Sequence, residues 1–155
     1  MNKNVIISVK GNQHDENDEI NSIEMVTQGK YYKKGNYYYV TYKETEITGL
    51  ENTTTTLKIG EGKVVLMRFG QNSSHMVFEK GQRHLCYYET AYGAFTIGIF
   101  SNEVDIRIDD SGGDILVDYI FQIDGVEAGA NDFYVQIREV NNGNDQPYGD
   151  CKRAN

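Results

Sequence analysis

The sequence predicts an all-β protein: a single antiparallel meander that closes into a barrel of about eight to ten strands. Three observations carry that reading. Val, Ile, Thr, Tyr and Phe supply 54 of the 155 residues, whereas Leu and Ala supply only 10. β-Branched and aromatic side chains suit a pleated, half-buried surface, and the strong helix formers are scarce. Apolar–polar alternation is interrupted by turn residues about every 8–12 positions, the rhythm of a sandwich or barrel. Sixteen glycines stand against one proline, so the chain has many tight turns and few breaks.

The strands follow in order. Asn4 to Lys10 is the first. The acidic stretch from Gly11 to Glu19 is a loop or the end of a hairpin. Ile20 to Tyr32 is the second strand, bent at Gly29. Lys34-Gly35-Asn36 turns tightly into Tyr37 to Thr45, and Asn52 to Ile59 is the fourth. Gly60-Glu61-Gly62, Gly70-Gln71-Asn72, Gly81-Gln82 and Ala91-Tyr92-Gly93 then separate four further strands: Lys63 to Phe69, Ser74 to Lys80, His84 to Thr90 and Ala94 to Phe100. Ser101-Asn102 is read as a turn into Val104 to Asp109. Asp110-Ser111-Gly112-Gly113 turns into Asp114 to Ile123. A longer loop opens at Asp124-Gly125, and Asp132 to Val140 is the last strand. Short connections between consecutive strands imply antiparallel pairing, and a long meander removes its exposed edges by closing on itself. Residues 1–140 form one domain on this reading. Residues 141–155 form a polar tail with the only proline, Pro147, expected to be poorly ordered.

Charge bounds the partners. Fifteen Lys and Arg against 23 Asp and Glu give a net charge of −8, which argues against nucleic acid and against anionic membranes. No apolar run is long enough to form a membrane-spanning helix, and the apolar segment Val5 to Val9 is too short for a signal peptide. Cys86 and Cys151 make no disulfide framework, so the expected setting is the cytoplasm, with Cys86 a buried free thiol.

Catalytic and metal motifs are absent or incomplete. Asp110-Ser111-Gly112-Gly113 resembles the nucleophile region of trypsin-like proteases, but a hairpin turn explains it and no triad context surrounds it. Ser74 and His75 are strand neighbours that point to opposite faces. His84 and Cys86 share a face, yet two ligands do not make a zinc site. Gly60-Glu61-Gly62 opens a strand and cradles no phosphate. Neither catalytic residues nor a cofactor is expected.

A polar set within an apolar lattice remains. Strand parity puts Tyr38, Val40, Tyr42 and Glu44 on one face, and Val64, Leu66 and Arg68 on another. Met76 and Phe78, then Cys86, Tyr88 and Thr90, then Ile115, Val117, Tyr119, Phe121 and Ile123 form further single faces. If these faces point inward, Glu44 and Arg68 meet inside a barrel among tyrosine hydroxyls. A buried charge needs such a partner. The pair then anchors a small ligand or plugs the barrel. Val65, Met67 and Phe69 make the opposite face of the fifth strand apolar too, so surface placement of Arg68 is the third option.

Three runs carry a resemblance. They are Tyr32-x-Lys34-x-x-x-Tyr38-x-x-x-Tyr42-x-Glu44; Thr55-Thr56-Leu57-Lys58 with Gly62-x-Val64-x-Leu66-x-Arg68-x-Gly70; and Met76-x-Phe78-x-x-Gly81 with Tyr88-x-Thr90-x-Tyr92-Gly93. Their order and spacing, across Val5 to Val140, resemble the YwiB-like family of small bacterial proteins of unknown function. The resemblance implies a calycin-like barrel, the architecture of lipocalins and fatty-acid-binding proteins, and no known activity. It carries Tyr42, Glu44, Arg68, Phe78, Tyr88 and Thr90 over as a candidate site. The chain lacks tryptophan altogether, and so lacks the Gly-x-Trp of true lipocalins.

The expected function is therefore binding of a small anionic or amphipathic ligand inside the barrel. Arg68 would supply the charge, Glu44 would hold it, and Tyr42, Tyr88 and Tyr119 would supply hydroxyls. Phe78, Met76 and Val117 would form the apolar wall. The alternative is a filled barrel acting as an interaction module, with a homodimer contact through Tyr37 and Tyr39.

Overall fold

The structure is a computed structural model. It describes residues 2–14, 20–44, 52–70, 73–90 and 92–140, with the backbone alone at Tyr88 and Thr90. The predicted tail, 141–155, lies outside the described residues, as does most of the acidic stretch, 15–19. Ten strands run in order: β1 (Asn2–His14), β2 (Ile20–Lys34), β3 (Tyr37–Lys43), β4 (Thr53–Gly60), β5 (Lys63–Gly70), β6 (Ser74–Glu79), β7 (Arg83–Thr90), β8 (Gly93–Asp109), β9 (Gly112–Ile123) and β10 (Val126–Glu139). Each pairs antiparallel with its sequence neighbours, and β1 pairs with β10, so the sheet is a closed barrel. No helix among the described residues is long and apolar enough to cross a membrane, which says nothing about strands.

Turn chemistry sets the hairpins. Asp124 (φ 54°) and Gly125 (φ 82°) are both left-handed, the two-residue turn whose twist matches the flanking strands. The β9–β10 connection is therefore tight, and the predicted longer loop after Asp124 is instead strand. The chain recovers its register through a bulge between Glu127 and Gly129. The predicted turn at Ser101-Asn102 is likewise absent. β8 runs through it unbroken, with a bulge between Ser101 and Glu103 that leaves the ladder to β9 intact on both sides. Two polar residues mimic a turn there, but the Ser101 side chain is buried and its carbonyl accepts from Gly81 N at 2.8 Å. β2 continues through Gly29, a position with no room for a side chain: a Cβ there would lie 2.4 Å from the Thr41 carbonyl oxygen and 2.5 Å from Ile7 Cδ1.

Inward parity is as the sequence implies. Val5, Ile7, Val40, Leu57, Ile59, Val64, Ile99, Ile115, Val117 and Ile137 are fully or almost fully buried. One end of the barrel is closed by an aromatic stopper. The Tyr31 and Tyr38 rings stack at 5.3 Å, Tyr31 OH donates to the Asp109 carbonyl at 2.6 Å, and Tyr38 OH donates to Asp110 Oδ1 at 2.6 Å. The weakest join is β6 to β7, registered at only two residue pairs. Beyond them the Val77 amide donates to Cys86 Sγ at 3.4 Å in place of a carbonyl.

Candidate functional site

The barrel interior is not filled. A cavity of about 550 Å³ occupies the half away from the tyrosine stopper. Its wall includes Val9, Met25, Leu57, Leu66, Met76 and Ile97, contributed by six different strands. Its mouth lies where β1, β2 and β10 run past their neighbours. Asn12, Gln13, Asn21, Asn131 and Asp132 line that part, beside Ile23 and Phe95. The rim is tied together: Asn12 Nδ2 donates to Asp132 Oδ1 at 2.8 Å, and Ser22 Oγ donates to Asn12 Oδ1 at 2.6 Å. An apolar chamber with a few fixed polar groups is the usual form of a small-ligand site.

Arg68 and Glu44 are the charged groups of the interior. Arg68 lines the cavity from β5, with its side chain 19% exposed, and Glu44 sits behind it at the end of β3, with its side chain 2% exposed. Surface placement of Arg68 is thus excluded. Arg68 Nε lies 3.8 Å from Glu44 Oε2, an ion pair too long for a hydrogen bond. Thr55 Oγ1 donates to the same carboxylate oxygen, and Glu44 N donates to the Thr53 carbonyl at 2.9 Å. These contacts hold the carboxylate in place. Arg68 Nε is buried with no hydrogen-bond partner among the described residues. Ser74 Oγ, on the residue opposite Arg68 in β6, is in the same state.

Of the other residues expected in the site, Tyr42 and Tyr119 line the cavity. Tyr119 OH accepts from Asn131 Nδ2 at 3.1 Å. Phe78 does not reach the cavity surface. It is fully buried, with its ring 4.9 Å from Tyr119 and 5.2 Å from Phe133. It supports the wall and does not present to a ligand. Val117 is buried in the same way, whereas Met76 does line the chamber. Tyr88 pairs with Ser74 and Thr90 with Gly93, but their side chains lie outside the described residues. The rim amides and Phe121 escaped sequence reasoning as site residues. The signal was present in the parity of Val9, Gly11 and Gln13, but polar residues at inward positions look like loop.

Burial pushes the Tyr42 hydroxyl well above its ordinary range. The nearby Glu44 charge adds to the shift, and Arg68 offsets part of it. The unfolded chain releases this proton near pH 10, while the folded chain keeps it. Stability is therefore fully present below pH 10 and falls above it, by about 1.4 kcal/mol per pH unit for one such group. Tyr42→Phe is expected to make the alkaline slope shallower by about that amount, read from urea midpoints between about pH 10 and pH 11.5. An unchanged slope would contradict the placement of Tyr42.

Fold and site together define a class: a closed ten-stranded antiparallel barrel with an apolar chamber and an internal Glu–Arg pair. The chain matches, over residues 7–135, the family described as "Domain of unknown function (DUF1934)", and it belongs to that family. It is 29% identical over 107 residues to the "Uncharacterized beta-barrel protein YwiB" of Bacillus subtilis (strain 168), covering 69% of this chain and 72% of that protein. The crystal structure of the ywiB protein from Bacillus subtilis superposes with a TM-score of 0.80 at 22% identity, covering 90% of this chain and 94% of that one. The resemblance drawn from the three sequence runs and the expected antiparallel barrel of about eight to ten strands are both borne out.

Proposed function

We propose that this protein binds a small anionic or amphipathic ligand inside its barrel, with Arg68 as the anchor. The observation that carries this reading is the guanidinium at the cavity wall, held by a buried carboxylate, with its buried Nε lacking a hydrogen-bond partner among the described residues. A buried donor left unmade costs about 1–3 kcal/mol, and a ligand carboxylate or phosphate recovers it. Guanidinium is suited to this, because its planar donors match two oxygens of one anion. Tyr42 adds a hydroxyl held in its protonated form. Met25, Leu57, Leu66 and Met76 receive the apolar part, and the amide rim meets the solvent-facing end. The cavity is within the volume range of small-molecule sites. A cytoplasmic setting fits the free thiol of Cys86.

Native mass spectrometry on protein purified gently from a bacterial host tests the proposal. The expected result is an added mass that leaves on denaturation and is carboxylate- or phosphate-bearing. Bare protein that also takes up no medium-chain fatty acid or alkyl phosphate would overturn the proposal and favour an interaction module.

A further inference from the structure

The net charge of −8 is unevenly spread. β2 from Gln28 to Lys34, β3 and β4 present twelve outward positions. These are Gln28, Lys30, Tyr32 and Lys34; Tyr37, Tyr39, Thr41 and Lys43; and Thr54, Thr56, Lys58 and Gly60. Four are lysines and none is acidic, in a chain with more carboxylates than cations. No described carboxylate forms an ion pair with any of the four. Lys30 Nζ instead donates to Asn4 Oδ1, and Lys58 Nζ sits 4.3 Å above the Tyr37 ring.

The face is also shaped. A groove of about 520 Å³ on this side is lined by Lys30 and Lys43 together with Asn4, Gln28, Thr41 and Thr54, and by Val5, Gly29, Tyr42 and Val140. Hydroxyls, amides and ammonium groups line it beside two valines, and among the described residues no carboxylate does. β8 lies diametrically across the barrel from β3. There, β8 and β9 turn Glu103, Asp105, Asp114 and Asp118 outward. At about 0.1 M salt, screening over about 10 Å keeps that negative side from cancelling the lysine face.

We propose that the outer face of β2, β3 and β4 binds the backbone of a single-stranded nucleic acid, without sequence preference. Lys30, Lys34, Lys43 and Lys58 would contact phosphates, and the threonines and amides of the groove would donate to phosphate and sugar oxygens. Lys30 and Lys34 stand about 13 Å apart along one strand, and neighbouring strands are about 4.8 Å apart, a strip the width of one strand of nucleic acid. Charge complementarity selects a polyanion. The closed barrel narrows the choice, because a peptide docking here finds no free sheet edge for backbone pairing. The Tyr32 and Tyr39 rings, stacked at 5.1 Å and 7°, give the face a rigid aromatic strip between the lysines. This surface shares only Tyr42 with the cavity lining and does not include Arg68, so Arg68→Met removes none of its lysines.

Fluorescence anisotropy of a labelled oligothymidylate against the full chain tests the proposal. Four phosphate contacts predict a log–log salt slope of about −3 and a roughly 50-fold weakening from about 50 to about 200 mM salt. Lys30→Gln with Lys43→Gln removes two contacts. The slope should fall to about −1.4 and the weakening to roughly 7-fold. Lys80→Gln, off the face, should change neither. No binding at about 50 mM salt, or a slope unmoved by the double variant, overturns the proposal. Displacement of the oligonucleotide by an equal charge of oligoglutamate assigns the face to an acidic protein segment and also overturns it.

Discussion

Arg68→Met is expected to lose the anionic ligand and to destabilise the barrel at the same time, whereas Arg68→Met with Glu44→Gln loses only the ligand. On sequence grounds alone the single change looks harmless to the fold. Burial of Glu44 reverses that expectation. Removing the guanidinium from beside a carboxylate whose side chain is 2% exposed leaves a charge in a poorly solvated place. Breaking a buried pair from one side costs about 3–5 kcal/mol. Arg68 opens onto a cavity that solvent can reach, so about 2 kcal/mol is the better figure here. Converting Glu44 to Gln removes the charge, keeps the shape and retains an oxygen to accept from Thr55. Urea melts of the parent, the single variant and the double variant check this, together with titration of the ligand found by mass spectrometry. Equal stability of all three would show that the pair is not coupled. Retained ligand affinity in the single variant would remove Arg68 from the site.

Phe78→Ala is expected to cost more stability. The ring is fully buried and contacts two other rings, Tyr119 and Phe133, in tilted and edge-on geometry. Phe→Ala in a core typically costs about 3–5 kcal/mol, which lowers the melting temperature by about 10–15 °C for a domain of this size. Tyr119 lines the chamber and Phe78 lies behind it, so the deletion adds apolar space beside the cavity. Such space stays dry and accepts apolar ligands. The variant should therefore bind a hydrophobic dye or a longer alkyl chain more tightly than the parent, even as it melts earlier. A loss below about 1 kcal/mol would mean that the wall collapses onto the gap.

Most of the barrel was legible because side-chain period two is a strong signal when one face is buried. Val64-x-Leu66-x-Arg68 and Tyr38-x-Val40-x-Tyr42-x-Glu44 each group on one face by parity, but the direction of the fifth strand stayed open, because its opposite face is also apolar. What resolves that strand is its neighbours, and neighbours are three-dimensional information. The bulge at Ser101 was illegible for a related reason. A bulge and a turn use the same small polar residues, and only pairing with β9 separates them. The mouth of the cavity was missed because Gln13 and Asn21 stand at inward positions while being polar, which breaks the hydrophobic pattern where a site departs from a core. Phe78 was placed in the site, when its position one layer behind Tyr119 depends on barrel tilt. The lysine face was hidden by a net charge that sums over both sides of the barrel.

Nine of the ten strand pairings join neighbours in sequence, and the tenth, β1 to β10, brings together residues as far apart as Lys3 and Glu139, 136 positions distant. The chain can thus zip hairpin by hairpin through contacts that are cheap in loop entropy. The final join must gather the two ends of the domain, at a cost of about 4 kcal/mol in closure entropy. That join is expected to form last and to set the folding rate. Until it forms, β1 and β10 each expose a long open edge, and the window for chain-to-chain association is the lifetime of the unclosed sheet.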